Sequence, residues 1–385
     1  IKTMRHFAAN YIFDGQNLIK NAFVSVDENN TIQFISDENQ ALTERPFMSF
    51  YNGIISPGFI NSHCHLELSD NNSAENKNIG LASFIEKMVE NKTKSHDLKK
   101  IKLADDIMFL KGVNLCADIV NTDLSLDVKL KSQIKYINFA EQSGLKDDIA
   151  EIRFNKIFEI FTKFDESGLE VYFTPHSFYS VSEKLLEKLS EFSKNALVSI
   201  HFMESSEEKE YFENKKGKLF NFLEKFHDNL LSDSSLCKIY NKLKKFEKAK
   251  SVILVHNVKT ELEYLKEYKN IYFCLCPASN LLLHNELPED NMVYSQKDKI
   301  IIGTDSLASN DSLDILKELK IMQEKYSNLS LIDLLKMATS NTSKAFDKPD
   351  FGNFTINSKP GVILIQDLDL KNLKLNKNTN IKRLI

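Results

Sequence analysis

One stretch decides how the fold is interpreted: Pro57-Gly58-Phe59-Ile60-Asn61-Ser62-His63-Cys64-His65, an apolar run that ends in two histidines. Residues two apart in extended backbone point to the same side of a strand, so His63 and His65 can present two imidazoles to one ion. A His-x-His pair alone is more often a coincidence of a turn or a surface. Its meaning therefore depends on what the other strands carry at the same end.

Short apolar runs alternate with longer amphipathic stretches from residue 54 onward, which is typical of parallel strands joined by helices. Strands are predicted over residues 54–60, 113–120, 134–139, 170–174, 197–202, 252–255, 271–275 and 300–303. Helices are predicted between them, among others over residues 81–91, 98–111, 181–193 and 207–226. Eight such units predict an α/β fold, a (β/α)8 TIM barrel. An open doubly wound sheet would give a similar list and stays an alternative.

The two ends of the chain are β-like instead. Residues 23–26 and 31–35 flank the turn signal Asp27-Glu28-Asn29-Asn30, which predicts a hairpin, and Gly361-Val362-Ile363-Leu364-Ile365 is a compact apolar strand. We expect strands from both ends to pair in a small flanking β-sandwich. The predicted division is therefore 1–53 and 350–385 for the two parts of this β domain, and 54–349 for the barrel.

Composition excludes several classes of protein. The 385 residues carry 50 basic and 54 acidic side chains, a formal net charge of -4, whereas a nucleic-acid-binding protein usually has a basic excess. No apolar run approaches the roughly 18 residues of a membrane span. Five scattered cysteines do not form a disulfide framework. The sequence thus predicts a cytoplasmic enzyme with neither nucleic acid nor membrane as a partner.

Residues that can bind metal or transfer protons follow most of the predicted strands. They are His63 and His65 after the first strand, His176 after the fourth, His201 and Glu204 at the fifth, His256 after the sixth and Asp305 after the eighth. The active site of such a barrel lies at the carboxyl ends of its strands, so these side chains should converge. Imidazole and carboxylate ligands together suit zinc or ferrous iron. A metal-dependent hydrolase is the resulting prediction.

The same stretches resemble the amidohydrolase superfamily, and within it the branch of nucleoside and nucleobase deaminases. The matching motifs are the stretch 57–65, His201-x-x-Glu204, His256, Cys276-Pro277-Ala278-Ser279-Asn280, and Gly303-Thr304-Asp305-Ser306 with Ser309-Asn310. The resemblance runs over nearly the whole chain, including the β-like ends.

This resemblance implies one divalent metal ion, zinc or iron(II), bound by His63, His65, His201 and Asp305. Binuclear relatives need a lysine at the end of the fourth strand, where this chain has Thr174-Pro175-His176. Asp305 would orient the attacking water and take its proton, and His256 would stabilise the charge that develops. Glu204 would act as general acid and base. The competing interpretation of Glu204 is an acid at a helix start, since Ser205 and Ser206 follow it.

Other residues are assigned to the substrate. His176 resembles a histidine that contacts ribose hydroxyls, although a purely structural histidine is as good an interpretation. Glu67 could bind a polar substrate group or begin a helix, and Phe84 and Met88 could cover an aromatic ring or simply pack. Ser279, Asn280, Ser309 and Asn310 are predicted to bond backbone in loops. No role is given to His6, His96, His227 or His284, although His284 lies in a loop near the site.

The reaction implied is hydrolytic deamination of an adenine-type ring in a small-molecule nucleoside. Residues 175–177 and 63–67 look most like the deaminases of 6-amino-6-deoxyfutalosine, which serve an alternative menaquinone pathway. Adenosine, methylthioadenosine and S-adenosylhomocysteine remain as alternative substrates, as do guanine, cytosine and chlorinated s-triazines. A catalytically dead scaffold on the same fold should have lost its ligands, and here they are present. Relatives often form dimers, which makes a homodimer a possible partner state.

Overall fold

The computed structural model describes residues 4–36, 44–90, 97–226 and 235–385. Its strands are β1 (Arg5–Phe13), β2 (Leu18–Val26), β3 (Ile32–Ile35), β4 (Met48–Pro57), β5 (Phe59–Cys64), β6 (Val113–Val120), β7 (Lys135–Gln142), β8 (Glu170–Pro175), β9 (Leu197–Phe202), β10 (Ser251–His256), β11 (Ile271–Leu275), β12 (Ile300–Ile302), β13 (Val362–Gln366) and β14 (Asn380–Arg383). Its α-helices are α1 (Leu81–Glu90), α2 (Leu98–Leu110), α3 (Leu126–Lys131), α4 (Ala150–Glu166), α5 (Glu183–Glu191), α6 (Ser206–Asn214), α7 (Lys218–Glu224), α8 (Leu236–Lys242), α9 (Pro277–His284), α10 (Asp290–Gln296), α11 (Ile315–Lys325), α12 (Leu331–Met337) and α13 (Ser340–Phe346).

Strands β5 to β12 form two four-stranded parallel sheets, in the order β5-β6-β7-β8 and β9-β10-β11-β12. Single parallel bridges connect the sheets at both edges, Ser177 with His201 and Cys64 with Asp305. The predicted α/β fold with parallel sheets is therefore confirmed. The strands read as continuous apolar runs because helices cover them, as in other parallel sheets.

One buried cluster contains side chains from both parallel sheets. Its members include Ile60, Leu115, Ile137, Leu197, Ile253, Cys274 and Ile301, with Tyr172 of β8 packed against it. Each of these residues belongs to a different strand, so the two sheets share an inner core. A larger cluster lies between the sheets and the surrounding helices.

The two ends of the chain meet in one six-stranded sheet with the order β14-β13-β4-β1-β2-β3. The predicted hairpin is confirmed, because β2 and β3 are antiparallel and Asp27 accepts hydrogen bonds from the backbone of Asn29 and Thr31 in its turn. Strand β13 joins from the far end of the chain by pairing with β4.

The strand predicted over residues 54–60 is two strands. Strand β4 belongs to the sheet of the chain ends and β5 to a parallel sheet, with Gly58 between them. A Cβ at Gly58 would lie 2.8 Å from the carbonyl oxygen of Pro360, so only glycine fits where the chain passes between sheets. Strand β4 crosses the predicted boundary at residues 53 and 54, and the division of the chain into domains stays a prediction.

The helix predicted over residues 207–226 is also divided, into α6 and α7. Lys215 and Gly217 between them have φ of 53° and 94°, a left-handed conformation that ends a helix. The predicted helix over 81–91 is α1, and residue 91 lies outside the described residues. Along the described ranges, no helix is both long and apolar enough to span a lipid bilayer.

Candidate metal centre

Three imidazoles meet at the carboxyl ends of β5 and β9. The Nε2 atom of His65 lies 3.2 Å from Nε2 of His63 and 3.3 Å from Nε2 of His201. Oδ1 of Asp305 lies 3.5 Å from Nε2 of His65 and 3.7 Å from Nε2 of His63. Nitrogen ligands at 2.0–2.1 Å around a tetrahedral ion lie about 3.3 Å apart, so the spacing of His65 from His63 and from His201 suits one ion. His63 and His65 form one candidate ligand group with Asp305, and His63 and His201 form another with His256, in each of which the ligand atoms lie within 4.8 Å of one another.

The first two histidines are placed by the end of β5 and its neighbours. The carbonyl oxygen of His63 accepts hydrogen bonds from the backbone of Thr304 and Asp305, at 3.0 and 3.1 Å. Leu66, directly after His65, donates its backbone N–H to Oδ1 of Asp118 at 2.7 Å. Burial and the neighbouring imidazoles hold the pKa of His63 well below its usual value, so the ring is neutral, as a metal ligand must be.

His201 is oriented by a residue that the sequence did not reveal, Glu141. Nδ1 of His201 donates to the carbonyl oxygen of His176 at 3.0 Å and lies 3.2 Å from Oε2 of Glu141. With its proton on Nδ1, His201 turns a lone pair on Nε2 toward His65, and a carboxylate behind a ligating histidine is the usual arrangement in metal sites. The strand was predicted to end at residue 139, whereas β7 continues to Gln142 and carries Glu141 to the site.

Glu141 and His201 shift each other's pKa in opposite directions. Burial lowers the pKa of His201, but the Glu141 carboxylate outweighs it and raises this pKa to about 9, so an ion bound at Nε2 would have to displace a proton from that nitrogen. Burial raises the pKa of Glu141, yet the imidazoles of His176 and His201 hold it well below its usual range. Glu141 is therefore an anion at neutral pH and supports a cationic centre.

Asp305 is held by two serine hydroxyls. Oδ2 accepts from Oγ of Ser279 at 2.7 Å and from Oγ of Ser309 at 2.6 Å, which leaves Oδ1 facing the histidines. The expectation that these serines bond backbone is wrong for Ser279, whereas Ser309 also donates to the carbonyl oxygen of Ser306 at 3.3 Å. For Asn310 it is confirmed, since Nδ2 donates to the carbonyl oxygen of Thr304 at 2.8 Å. The backbone of Asp305 has a φ of 59°, a conformation that aspartate tolerates better than most residues.

Glu204 and His256 lie beside this cluster. Nε2 of His256 is 3.8 Å from Oε2 of Glu204, and Nδ1 of His256 is 3.3 Å from Nδ2 of Asn280 rather than from backbone. Because the amide donates to Nδ1, the proton of His256 is on Nε2. Burial raises the pKa of Glu204, but the charges of His256 and His284 hold it below its usual range.

Helix α6 starts at Ser206, close to the start that the sequence predicts, but its N-cap is Ser205, and Glu204 precedes the N-cap. The backbone N–H of Glu204 donates to Oε2 of Glu208 at 2.7 Å. The other oxygen of the Glu204 side chain, Oε1, is 3.2 Å from Nε2 of His284. His284 thus contacts the candidate acid, a role that was not predicted from the sequence, and it ends helix α9 rather than lying in a loop.

The other histidines without a role are elsewhere. Nδ1 of His6 bonds Oγ of Ser25 at 2.6 Å in the sheet of the chain ends. His96 and His227 lie outside the described residues.

Two residues predicted to contact substrate, His176 and Glu67, make ring contacts or hydrogen bonds with other protein residues. The ring of His176 stacks on that of His201 with centroids 4.7 Å apart, and its Nδ1 lies 2.8 Å from Oγ of Ser180. The carboxylate of Glu67 accepts hydrogen bonds from the backbone of Asn121 and Thr122 and from Oγ1 of Thr122 at 2.8 Å. Burial raises the pKa of Glu67 to about 7. Their contacts with substrate stay predictions.

Phe84 and Met88 lie half-buried on α1 and belong to neither of the two clusters around the parallel sheets. The helix start is fixed to the site, because Ala82 donates its backbone N–H to Oε2 of Glu207 at 2.9 Å. The role of Phe84 and Met88 over an aromatic ring also stays a prediction.

Imidazoles and carboxylates thus come together at the carboxyl ends of parallel strands, where barrel enzymes have their active sites, and form candidate metal-binding groups. Residues 54–385 match the amidohydrolase family, and the chain belongs to that family. It is accordingly a hydrolase that acts on carbon–nitrogen bonds.

Several curated relatives are similar over most of their length. An adenosine deaminase of Helicobacter pylori is 27% identical over 301 residues, which are 75% of this chain and 72% of the relative. A 5-methylthioadenosine/S-adenosylhomocysteine deaminase of Caldicellulosiruptor saccharolyticus is 28% identical over 382 residues, which are 94% of this chain and 83% of the relative. An aminodeoxyfutalosine deaminase of Nitratiruptor is 26% identical over 313 residues, which are 76% of this chain and 73% of the relative.

Solved structures share the fold. Aminofutalosine deaminase of Helicobacter pylori superposes with a TM-score of 0.79 at 22% identity, over 95% of this chain and 93% of that one. An adenosine deaminase of Xanthomonas campestris with bound zinc superposes with a TM-score of 0.71 at 17% identity, over 97% of this chain and 86% of that one.

Proposed function

We propose that this protein is a metal-dependent deaminase of adenine nucleosides, with 6-amino-6-deoxyfutalosine as the favoured substrate. The observation that carries the proposal is the joint placement of one candidate ion site, formed by His63, His65, His201 and Asp305, with Glu204 and His256 beside it. The named activities of the three curated relatives support an adenine nucleoside as substrate. The resemblance of residues 63–67 and 175–177 supports the particular nucleoside.

We also propose that the two parallel sheets close into one (β/α)8 barrel, flanked by a β-sandwich that includes the sheet of the chain ends. The bridges at both sheet edges and the shared inner core support closure. Closure would bring the ends of β5, β9, β10 and β12 around one cavity mouth, where a small nucleoside could enter.

One divalent ion, zinc or iron(II), would be held by Nε2 of His63, His65 and His201 and by Oδ1 of Asp305. Such an ion lowers the pKa of a bound water from 15.7 to about 7. Thr174 hydrogen-bonds the carbonyl oxygen of Ser199 at the end of β8, and no lysine stands there to bridge a second ion.

The side chains then divide the proton transfers. Water adds to the ring carbon that bears the amino group, and one of its protons passes through Glu204 to the ring nitrogen. The other passes through Oδ1 of Asp305 and reaches the amino group, which leaves as ammonia. His256 donates Nε2–H to the oxygen that has been added. Acid and base groups placed in this way contribute about 10²–10⁴-fold each.

The test is a spectrophotometric screen on purified, metal-loaded protein. Adenosine, methylthioadenosine, S-adenosylhomocysteine and 6-amino-6-deoxyfutalosine are offered in turn, and loss of the adenine chromophore is followed. Guanine, cytosine and a chlorinated s-triazine serve as the competing substrates. We expect the highest kcat/KM for 6-amino-6-deoxyfutalosine. No turnover of any adenine nucleoside would refute the deaminase proposal, and turnover of another nucleoside alone would refute only the choice of substrate.

A further inference from the structure

We propose that His284 is a positioning residue for Glu204. Resting on the deaminase function proposed above, the inference is that Nε2–H of His284 donates to Oε1 of Glu204 and thereby aims the other oxygen, Oε2, at His256 and the substrate. His284 itself does not touch the reacting atoms in this account.

The contact is close and shielded from water. Nε2 of His284 lies 3.2 Å from Oε1 of Glu204, and the His284 side chain is 2% exposed. A carboxylate can only accept a hydrogen bond, so Nε2 of His284 must carry the proton of this contact. The tautomer of His284 is thus set by Glu204.

The backbone around His284 is tied down. Its helix α9 ends with Asn285 in a left-handed conformation, whose N–H donates to the carbonyl oxygen of Leu281 at 3.1 Å. The carbonyl oxygens of Leu282 and Leu283 accept from the backbone of Asn78 and Gly80 at 2.7 and 3.0 Å. These bonds hold the end of α9 against the segment that leads into α1, so the backbone that carries His284 is fixed on both sides of this residue.

Packing alone does not account for a histidine here. Within the described part of the chain, Nδ1 of His284 is buried and has no hydrogen-bond partner, which is unfavourable for a polar atom. The residues before it, 281–283, are all leucine. Another apolar side chain would avoid the unpaired nitrogen. The feature that an apolar residue could not supply is the Nε2–H bond to Glu204.

This bond completes the support of Glu204. Its backbone N–H is bonded to Glu208 and its Oε1 to His284, which leaves Oε2 free, 3.8 Å from Nε2 of His256. A general acid must reach its partner at about 2.6–3.2 Å. Without His284 the carboxylate can rotate, and fewer of its orientations allow proton transfer.

The activity test compares two substitutions that differ in the donor. His284→Phe keeps an aromatic ring and removes the donor, whereas His284→Gln can place an amide N–H near the former Nε2. With metal content unchanged, we expect His284→Phe to lower kcat about 10²-fold and KM to change less than about threefold, and His284→Gln to recover at least about tenfold of the loss. His6→Phe, the same substitution in the sheet of the chain ends, should leave kcat unchanged.

A double-mutant cycle separates positioning from a general packing role. In a Glu204→Gln background, adding His284→Phe should change kcat less than about twofold, because the residue acts through Glu204. An equal loss in both backgrounds, or equal activity of His284→Phe and the wild type, overturns the inference. Either result leaves the proposed deamination standing.

A readout without turnover covers the case in which no nucleoside is deaminated. In zinc-loaded protein with ¹⁵N-labelled histidine, the His284 signals, assigned by comparison with His284→Gln, should show a proton on Nε2. They should also shift on Glu204→Gln while those of His6 do not. A proton on Nδ1, or signals that ignore Glu204→Gln, overturns the inference independently of any assay.

Discussion

Two buried carboxylates of the site, Asp305 and Glu204, are held by different kinds of donor. Asp305 receives two neutral hydroxyl donors, Ser279 and Ser309, on a single oxygen. Glu204 has imidazoles within 3.2 and 3.8 Å of its two oxygens, from His284 and His256. The hydroxyls place both hydrogen bonds on Oδ2 and leave Oδ1 of Asp305 to the histidines, whereas each oxygen of Glu204 lies near an imidazole nitrogen. The comparison separates Asp305, whose Oδ1 faces the candidate ion ligands, from Glu204, whose two oxygens lie near His284 and His256, although both carboxylates take part in the proposed proton transfers.

The backbone N–H groups of Asp305 and Glu204 also have different partners. The N–H of Asp305 donates to the carbonyl oxygen of His63, so this carboxylate is tied to the strand that carries two other candidate ligands. The N–H of Glu204 is bonded to Glu208, on helix α6. The backbone of Asp305 is therefore tied to the ion site, whereas that of Glu204 is tied to helix α6.

The largest effect should come from Asp305→Asn. Loss of a charged ligand and of the group that accepts a water proton should reduce metal content and lower kcat about 10⁴-fold. Metal analysis after gel filtration and a deamination assay measure the two effects. Full metal content in this variant would contradict its place among the ligands.

Glu204→Gln should affect catalysis and leave metal binding unchanged, in contrast to Asp305→Asn. The amide keeps the shape of the side chain and cannot transfer the proton, so kcat should fall about 10³-fold while metal content stays at the wild-type value. The same two assays apply. Parallel loss of metal in both variants would show that the two carboxylates do not differ as proposed.

Much of this site was predictable, because its residues stand at strand ends. The order of apolar runs predicts the parallel strands, and the carboxyl ends of such strands must lie together. His63, His65, His201, His256 and Asp305 could therefore be placed in one site from the sequence. The family resemblance added their roles, which remain predictions.

The supporting residues could not be predicted, since their partners are distant in sequence. Glu141 lies two residues beyond the predicted end of its strand and meets His201 only through the fold. Ser279 and Ser309 resemble ordinary loop residues until both meet Asp305. His284 follows three leucines, a pattern typical of packing, and 80 residues separate it from Glu204. A hydrogen bond between segments that are distant in sequence produces no local pattern in the sequence, so it cannot be predicted from periodicity.

A smaller effect is expected from Ser279→Ala, which removes one of the two hydroxyls on Asp305. Groups behind a ligand typically change metal affinity 10–100-fold, and with Ser309 still in place we expect about tenfold weaker binding. Competition with a coloured chelator measures the affinity. Ser190→Ala, which removes a hydroxyl bonded to the carbonyl oxygen of Glu187, is the control and should bind metal as the wild type does. Unchanged affinity in Ser279→Ala would mean that the hydroxyl does not support the ligand.

The smallest effect on the site concerns Glu318, a third buried carboxylate, which lies behind Asp305. Its oxygens accept from the backbone of Ala278 and from Nδ2 of Asn310, both at 2.8 Å, and so connect the start of helix α9, which carries Ser279, with the loop that carries Ser309. Burial raises the pKa of Glu318 to about 8, from an ordinary value of 4.5. Unlike Asp305 and Glu204, this carboxylate has no imidazole among its contacts in the described residues that lowers its pKa.

The sign of its effect on stability follows from proton binding. Between about pH 4.5 and 8 the folded protein retains the proton of Glu318 and the unfolded chain has lost it, so the free energy of unfolding falls as pH rises, by about 1 kcal/mol per pH unit from this group. Glu318→Gln has one acceptor oxygen fewer and should be less stable than the wild type at pH 5, but the difference should narrow toward pH 8. Urea unfolding at a series of pH values measures it. Glu324→Gln, exposed on the same helix, should keep the wild-type slope, and an equal slope in Glu318→Gln would show that Glu318 is ionised in the folded protein throughout this range.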